Sequence, residues 1–165
     1  MIVEPAKPDD FGEISNLLAA AFDGNSEVIL VKDLRQDADM AFELVCRQAG
    51  EIIGHIVFSP IGAPVRSLAL APIGVLPKRQ RAGVGSALIN EGLRLAMKDG
   101  WQAVFVLGDP AYYSRFGFSA ALASPFDSPY GGPYFMALEL QKNCLADQHG
   151  ALEHAPAFAR LEGDG

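Results

Sequence analysis

The most informative stretch of the chain is Leu70-Ala-Pro-Ile-Gly-Val-Leu-Pro-Lys-Arg-Gln-Arg-Ala-Gly-Val-Gly-Ser-Ala-Leu88, where an apolar run leads through a basic turn into a glycine-rich segment. The apolar run, 66–76, predicts a strand that Pro72 and Gly74 interrupt. Proline cannot donate to a ladder and glycine weakens a strand, so the pair indicates a bulge. Apolar residues at helical spacing then predict a helix over 83–99. The stretch therefore predicts a bulged strand, a turn and a helix in succession.

The start of the predicted helix has the properties of an anion-binding site. Its first N–H groups lack intrahelical partners, and the helix dipole makes this end positive. Gly83 and Gly85 carry no side chains that would block close approach, and Lys78, Arg79 and Arg81 add positive charge. The segment matches neither the P-loop nor the dinucleotide-binding fingerprint. These residues suit a pyrophosphate held by backbone amides, while a tight turn that needs glycine for packing alone is the alternative.

The flanking sequence predicts an α/β domain. Two helices come first, one beginning near Asp9 or Asp10 and a shorter one that Ser26 caps. Strands follow at 41–48, 52–59, 66–76, 103–107 and 135–140, with a short helix at 110–116. This order predicts a mixed sheet with a parallel β-α-β unit around the helix 83–99. Residues 1–141 are expected to form one domain, and 142–165 an irregular tail packed on it or trailing from it.

Composition narrows the classes of function. The chain has 165 residues, of which 50% are hydrophobic, and a net charge of −7. The apolar runs are too short for a membrane span, the N-terminus does not resemble a signal peptide, and the negative charge disfavours nucleic acid. Two cysteines, Cys46 and Cys144, give neither a disulfide framework nor a metal-binding spacing. We therefore expect a cytoplasmic protein with no metal and no membrane or nucleic-acid partner.

Two motifs carry a resemblance to a known family. Gln80-Arg81-Ala82-Gly83-Val84-Gly85 resembles the acyl-coenzyme A loop of the GNAT acetyltransferase superfamily, whose pattern is Gln/Arg-x-x-Gly-x-Gly/Ala. Tyr112-Tyr113-Ser114-Arg115-Phe116-Gly117-Phe118 is similar to that family's Tyr-x-x-Phe-Gly-Phe signature. Gly54-His-Ile-Val-Phe-Ser-Pro60 and Val106-Leu-Gly-Asp-Pro110 further resemble the YhbS-like subgroup of predicted acetyltransferases. The resemblance implies a GNAT-like fold: a mixed, mostly antiparallel sheet with a bulged central strand, and helices on both faces.

The resemblance also implies a cosubstrate, acetyl-CoA, and the residues that bind it. The expected contacts are Gln80, Arg81, Ala82, Gly83, Val84, Gly85 and Ser86 in the loop, and Tyr112, Arg115 and Phe116 in the signature. In the family, a backbone N–H of the bulged strand points at the thioester carbonyl, which places this donor near Ile73, Gly74 and Val75 and would stabilise an oxyanion. Tyr113 aligns with the family tyrosine that protonates the departing thiolate, for which a phenol with a pKa of about 10 is an adequate acid.

No motif identifies the general base. Glu27, in the second helix, is the candidate that takes a proton from the acceptor amine; alternatively, it is an ordinary first-turn acid. We expect His55 to be a core or rim histidine, and His149 and His154 to be incidental.

The resulting functional prediction is an N-acetyltransferase, monomeric or homodimeric. It would move an acetyl group from acetyl-CoA to a primary amine of a small molecule or protein by direct attack in a ternary complex. A non-catalytic acyl-CoA binding module or sensor of the same fold is one alternative. Another phosphate-binding α/β protein is the other.

Overall fold

A six-stranded sheet organises the chain in the computed structural model, which describes residues 1–163. Its strands, in spatial order, are β1 (Ile2–Pro5), β2 (Phe42–Gln48), β3 (Glu51–Ile61), β4 (Ser67–Val75), β5 (Ala103–Leu107) and β7 (Phe135–Glu139). All neighbours are antiparallel except β4 and β5, which are parallel. Two short strands, β6 (Phe126–Asp127) and β8 (Gly150–Ala151), pair separately. The predicted mixed, mostly antiparallel sheet is confirmed.

The helices are α1 (Phe11–Phe22), α2 (Ser26–Gln36), α3 (Val84–Lys98), α4 (Pro110–Tyr113), α5 (Ala120–Ala123) and α6 (Pro156–Gly163). The predicted positions of α1 to α4 are confirmed to within a few residues. Helix α2 begins at Ser26, so Asn25 rather than Ser26 occupies the N-cap position. The side chain of Asn25 makes no capping hydrogen bond with the described residues. No helix among residues 1–163 is long and apolar enough to cross a membrane.

Helices cover both faces of the sheet, as predicted. On one face α3 packs through Val84, Leu88 and Ile89 against apolar residues of β2, β3 and β4. On the other face α1 and α2 pack on alternate residues of β2 and β3, including Val45 and Val57. Successive side chains of a strand point to opposite faces, so the nearly continuous buried runs in β2 and β3 supply buried residues to both faces.

The expected bulge lies in β4. Ile73 pairs with Ile56 of β3 and Leu70 pairs with Phe58, so residues 71–72 stand opposite a single residue of β3. Pro72 lacks an N–H group and can be accommodated at such an interruption of the ladder.

The bulge separates β4 from β5. The two strands pair only over 67–69 and 103–105, at the start of each strand. Beyond Ala69 the backbone of β4 has no ladder partner among residues 1–163 on its β5 side. The parallel strands therefore open into a gap at their C-terminal ends.

The prediction of an irregular tail over 142–165 is wrong for the part that the structure describes. Within it, β8 pairs with β6, and α6 packs against α2, with Arg160 forming ion pairs to Asp33 and Asp37. The contacts of β8 reach back 24 positions along the chain, and those of α6 reach back more than a hundred. The local periodicity of the sequence does not reveal such contacts. Residues 164–165 lie outside the described part.

Candidate active site

The glycine-rich loop forms the N-terminal end of α3. Gly83 has a left-handed backbone (φ 84°) and is the N-cap, and its carbonyl accepts from the N–H of Ala87 at 3.0 Å. The amides of residues 84–86 come before this hydrogen bond and therefore belong to the unpartnered first turn. Gln80 Nε2 donates to the carbonyl of Val75 at 3.4 Å, which ties the loop to the end of β4.

The loop contacts the tyrosine signature directly. A Cβ atom built on Gly85 would lie 2.7 Å from Tyr112 Oη and 4.0 Å from Ile73 Cδ1. Three regions that the sequence predicted as parts of one site therefore meet here: the loop, the signature and the bulged strand. Glycine at position 85 is required for this close approach.

Three basic side chains lie in or just before the loop, and one of them is hydrogen-bonded to another part of the protein. Lys78 and Arg81 are exposed, and neither is paired with another described residue. Arg79 instead donates to Gln48 Oε1 at 3.3 Å, next to the β2–β3 turn. Ala82 is exposed beside Arg81, and Ser86 is half-buried in the first turn of α3. Arg81 and Lys78 are thus the cations best placed to meet an anion at this helix end.

The remaining signature residues form a stacked cluster. The Arg115 guanidinium lies 4.4 Å from the ring centroid of Tyr112 and 5.6 Å from that of Phe116, and its Nε donates to the carbonyl of Tyr112 at 3.2 Å. Tyr112 and Phe116 also meet edge to face, with centroids 5.5 Å apart. The cluster holds Tyr112 against Gly85.

A cleft of about 430 Å³ occupies the gap between β4 and β5. Tyr113 from α4 and Glu27 from α2 both line it, so the structure brings the two predicted catalytic residues to one cavity. The strands contribute Ala69, Leu70, Ala71, Pro72, Ile73, Phe105, Val106 and Leu107 to the lining. Ile73 therefore borders both this cleft and the glycine-rich loop.

Backbone direction distinguishes the three predicted residues of the bulged strand. Leu76 N–H donates to Ile53 of β3 at 3.0 Å. Because backbone groups alternate along a strand, Ile73 and Val75 point their N–H groups to the opposite side, towards the gap. Gly74 points its N–H towards β3 instead. A Cβ atom at position 74 would lie 3.2–3.4 Å from side chains of α1, so this glycine permits close packing of the helix.

Tyr113 is packed against neighbouring aromatic rings and Gly108, and it also borders the cleft. It is 8% exposed and makes edge-to-face contacts with Tyr112 and Phe118, with centroids 5.0 Å and 5.8 Å apart. Its ring also lies against Gly108, where any side chain would collide with it. Burial, with a smaller contribution from Tyr112, raises the pKa of Tyr113 to about 12. The phenol therefore keeps its proton throughout the neutral range.

Glu27 and His154 line the same cleft. Glu27 is the second residue of α2, half-buried, so it is both a first-turn acid and a cleft residue. His154, which the sequence analysis treats as incidental, also lines the cleft and has its Nε2 2.8 Å from Ser128 Oγ. Nothing local in the sequence marks His154, because it reaches the cleft through the packing of the C-terminal segment.

His55 lies outside the cleft lining, as a core histidine. It is fully buried, with Nε2 3.5 Å from Glu43 Oε2, too long for a good hydrogen bond. Arg35 binds the same carboxylate with both Nε and Nη2. Burial lowers the pKa of His55 despite the nearby carboxylate. This histidine is therefore neutral at pH 7 and belongs to the support of the sheet.

Within residues 1–163, no group of three or more histidine, cysteine, aspartate or glutamate side chains is arranged to hold a metal ion.

The family is established by comparison with known proteins. Residues 11–118 match the model of the acetyltransferase (GNAT) family, so the chain belongs to that family. It is similar to the uncharacterized N-acetyltransferase YhbS of Escherichia coli strain K12, with 38% identity over 167 residues that cover 98% of this chain and 100% of the relative. The predicted superfamily and its YhbS-like subgroup are confirmed.

Two crystal structures are similar over nearly the whole chain. That of YhbS from Escherichia coli in complex with CoA has a TM-score of 0.90 and 32% identity, covering 96% of this chain and 92% of that one. That of a GNAT family acetyltransferase from Brucella melitensis in complex with acetyl-CoA has a TM-score of 0.81 and 31% identity, covering 95% and 97%. Both proteins therefore share this fold, including its sheet and helices.

Proposed function

We propose that the protein transfers the acetyl group of acetyl-CoA to a primary amine by direct attack in a ternary complex. The observation that carries this proposal is the cleft itself. One cavity between the separated strands is lined by a buried tyrosine and a carboxylate, and it lies beside a glycine-rich helix N-terminus. Relatives of the same fold that contain CoA or acetyl-CoA support the choice of cosubstrate.

The loop is the proposed seat of the pyrophosphate. The amides of Gly83 to Ser86 lie at the positive end of α3, and Arg81 and Lys78 add charge from the exposed side. Tyr112, Arg115 and Phe116 form the adjoining wall. The pantetheine arm then runs along the unpaired side of β4, where the backbone groups of Val75 and Ile73 can form hydrogen bonds with its amides.

In the proposed reaction the neutral amine nitrogen attacks the thioester carbonyl carbon, and a C–N bond forms. The carbonyl electrons move to oxygen, and the N–H of Ile73 donates to this oxyanion. A preorganised donor of this kind typically contributes roughly 2.7–4 kcal/mol to transition-state stabilisation. Collapse of the intermediate breaks the C–S bond and releases the CoA thiolate, and the nitrogen, which became positively charged on attack, loses its second proton to water to leave the neutral amide.

Tyr113 acts on the departing sulfur. Its pKa of about 12 lies above the value of about 8.5 for a free thiol, so complete proton transfer to the thiolate would be uphill by about 5 kcal/mol. A buried phenol that keeps its proton can instead donate a hydrogen bond to the charge that develops on sulfur. We assign Tyr113 the donation of a hydrogen bond to sulfur as the C–S bond breaks, and the thiolate takes its proton from solvent on release.

Glu27 is the proposed base. An amine reaches the enzyme as an ammonium ion and must lose a proton before it attacks. The carboxylate lines the cleft and is partly open to solvent, so it can accept this proton directly or through water. Net, the amine and acetyl-CoA give the N-acetylated amine and CoA.

The proposal includes a cytoplasmic location and a monomer or homodimer. Cys46 and Cys144 are both free thiols, which suits a reducing compartment.

Transfer of labelled acetyl groups from acetyl-CoA to a panel of primary amines tests the activity. Calorimetric titration of CoA into the same preparation measures binding independently. We expect both binding and transfer. Binding without transfer to any primary amine would favour a non-catalytic acyl-CoA module, and no binding of CoA would remove the phosphate seat as well.

A further inference from the structure

The part of the cleft lining that lies outside β4, β5 and α4 has a composition of its own, and we call it the acceptor end. Its walls come from four parts of the chain: the end of α1, the first turns of α2, the segment that leads into β7, and α6. They contribute Phe22, Leu30, Tyr130, Phe135, Phe158 and Leu161. All six are apolar or aromatic.

The aromatic residues on one side of this end support each other. His154 meets Tyr130 edge to face at 4.9 Å between centroids, and it lies 6.1 Å from Phe135 and 6.4 Å from Phe158. The hydrogen bond between Ser128 and His154 fixes the ring at the centre of this group. The group therefore forms a supported aromatic wall rather than loose surface side chains.

The acceptor end also includes an exposed ring, that of Phe22. Phe22 is the last residue of α1 and is 39% exposed, although it borders a cleft lined by apolar side chains. The helix ends immediately after it, at Asp23, which has a left-handed backbone. A ligand in the cleft that covered this ring would remove apolar surface from water, a gain of roughly 25 cal/mol per Å².

Charge at this end is sparse. Glu27 is the single carboxylate among the described residues that line the cleft, and neither lysine nor arginine is among them. One carboxylate matches one ammonium group. A polyamine or a sugar with several amino groups would bring further charges to apolar walls that offer them no partner, which is unfavourable.

We propose that the acceptor is a primary monoamine carried on an aromatic or similarly flat apolar body, of the arylalkylamine type. This proposal rests on the proposed acetyl transfer. Glu27 binds the ammonium group and directs the nitrogen towards the thioester, while the ring lies between Phe22 and the wall that contains Tyr130 and Phe158. A cleft of about 430 Å³ that must also hold the thioester admits a small acceptor.

The test compares 2-phenylethylamine, ethylamine and spermidine as acceptors at fixed pH and 0.15 M salt. We expect kcat/KM for 2-phenylethylamine to exceed that for ethylamine by roughly 10- to 100-fold, because burial of the ring is the difference between them. Spermidine should be no better than ethylamine. Ethylamine or spermidine used as well as 2-phenylethylamine would overturn the proposal.

Two matched variants test whether Phe22 causes the preference for the aromatic amine. Phe22→Ala should reduce the preference for 2-phenylethylamine over ethylamine at least 5-fold. Tyr134→Ala removes another exposed aromatic ring, 61% exposed and outside the cleft lining, and should leave this preference unchanged. An unaltered preference in Phe22→Ala would contradict the placement of the ring.

A binding measurement tests the acceptor class independently of the proposed acetyl transfer. Calorimetric titration of 2-phenylethylamine into protein saturated with CoA needs no catalysis. We expect 2-phenylethylamine to bind more tightly than spermidine. Its affinity should fall in Glu27→Gln but not in Glu51→Gln, a control at the exposed β2–β3 turn. This pattern would support the acceptor class even if no acetyl transfer occurred. Absence of such binding would overturn the acceptor class whether or not other amines were acetylated.

Discussion

The hydroxyl oxygen of Tyr112 occupies the space that a side chain at position 85 would need, because a Cβ atom on Gly85 would lie 2.7 Å from it. The two sequence motifs are therefore in direct contact. Gly85 has two separable consequences: it makes room for Tyr112, and it leaves the backbone amides of α3 open to an anion. Both interpretations of this glycine that the sequence allows are physically reasonable.

A double variant separates these roles. In Tyr112→Phe the hydroxyl is gone, and the next atom of the ring, Cζ, is an ordinary 3.9 Å from a Cβ at position 85. Adding Gly85→Ala to this background should leave the melting temperature near that of Tyr112→Phe. CoA affinity, measured by calorimetry, should still fall about 10-fold, because the new methyl group obstructs the phosphate. Equal affinities in the single and double variants would leave packing as the only role of Gly85.

Gly83 offers a second test with a matched control. Gly83 and Gly50 both have left-handed backbones, with φ of 84° and 80°, and a Cβ atom at either position would meet nothing within 4 Å. Alanine at each should destabilise the protein by about 1–2 kcal/mol through the same backbone strain. Only Gly83→Ala should also weaken CoA binding, by about 10-fold. If Gly83→Ala and Gly50→Ala bound CoA equally well, the loop would not be the phosphate seat.

The buried His55 predicts a loss of stability in acid. Its folded-state pKa is lowered by burial, which outweighs the effect of Glu43, while Arg35 acts in the same direction as burial. The unfolded chain therefore binds the proton more readily, and stability present above pH 6.5 is lost as the pH falls below it. Urea unfolding at pH 7.5 and 5.0 should show this loss in the wild type and a smaller one in His55→Gln. Equal losses in both proteins would contradict it.

Many of the strands and helices could be predicted because short stretches of sequence indicate them. Local signals include the short apolar runs of β2 and β3 on either side of a turn, the helical spacing of α3, and Pro72 in an apolar run. The meeting of loop, signature and bulged strand was predictable through the resemblance to a family. Ile73, Gly74 and Val75 were predicted together, but only the register with β3 shows which of their amides face the gap.

The acceptor end could not be predicted for the same physical reason that the tail was misjudged. His154 and Phe158 lie more than 40 residues from Tyr113 in sequence, and α6 is held by packing on α2. A short helix of this kind gains its stability from tertiary contacts rather than from its own propensity. A single sequence contains no signal for such a contact.

Tyr113 also predicts the behaviour of the fold in alkali. Its pKa is raised from about 10 in the unfolded chain to about 12, so it contributes stability that is fully present below pH 10 and is lost as the pH rises towards 12. The loss amounts to at most about 2.7 kcal/mol at 1.36 kcal/mol per pH unit. Unfolding of Tyr113→Phe between pH 9 and 11.5 should lose less stability than the wild type. The surface variant Tyr134→Phe is the control, and the same loss in all three proteins would argue against the burial of the phenol.

The central claim, acetyl transfer with Tyr113 donating to the departing sulfur, is tested most directly by the kcat of Tyr113→Phe with CoA affinity measured alongside. Phenylalanine keeps the ring contacts with Gly108, Tyr112 and Phe118, and removes only the hydroxyl. A hydrogen bond to a charged group contributes about 1.5–3 kcal/mol, so we predict a fall in kcat of roughly 10- to 100-fold with an unchanged Kd for CoA. A Tyr113→Phe enzyme that acetylates its amine at the wild-type kcat would contradict the account.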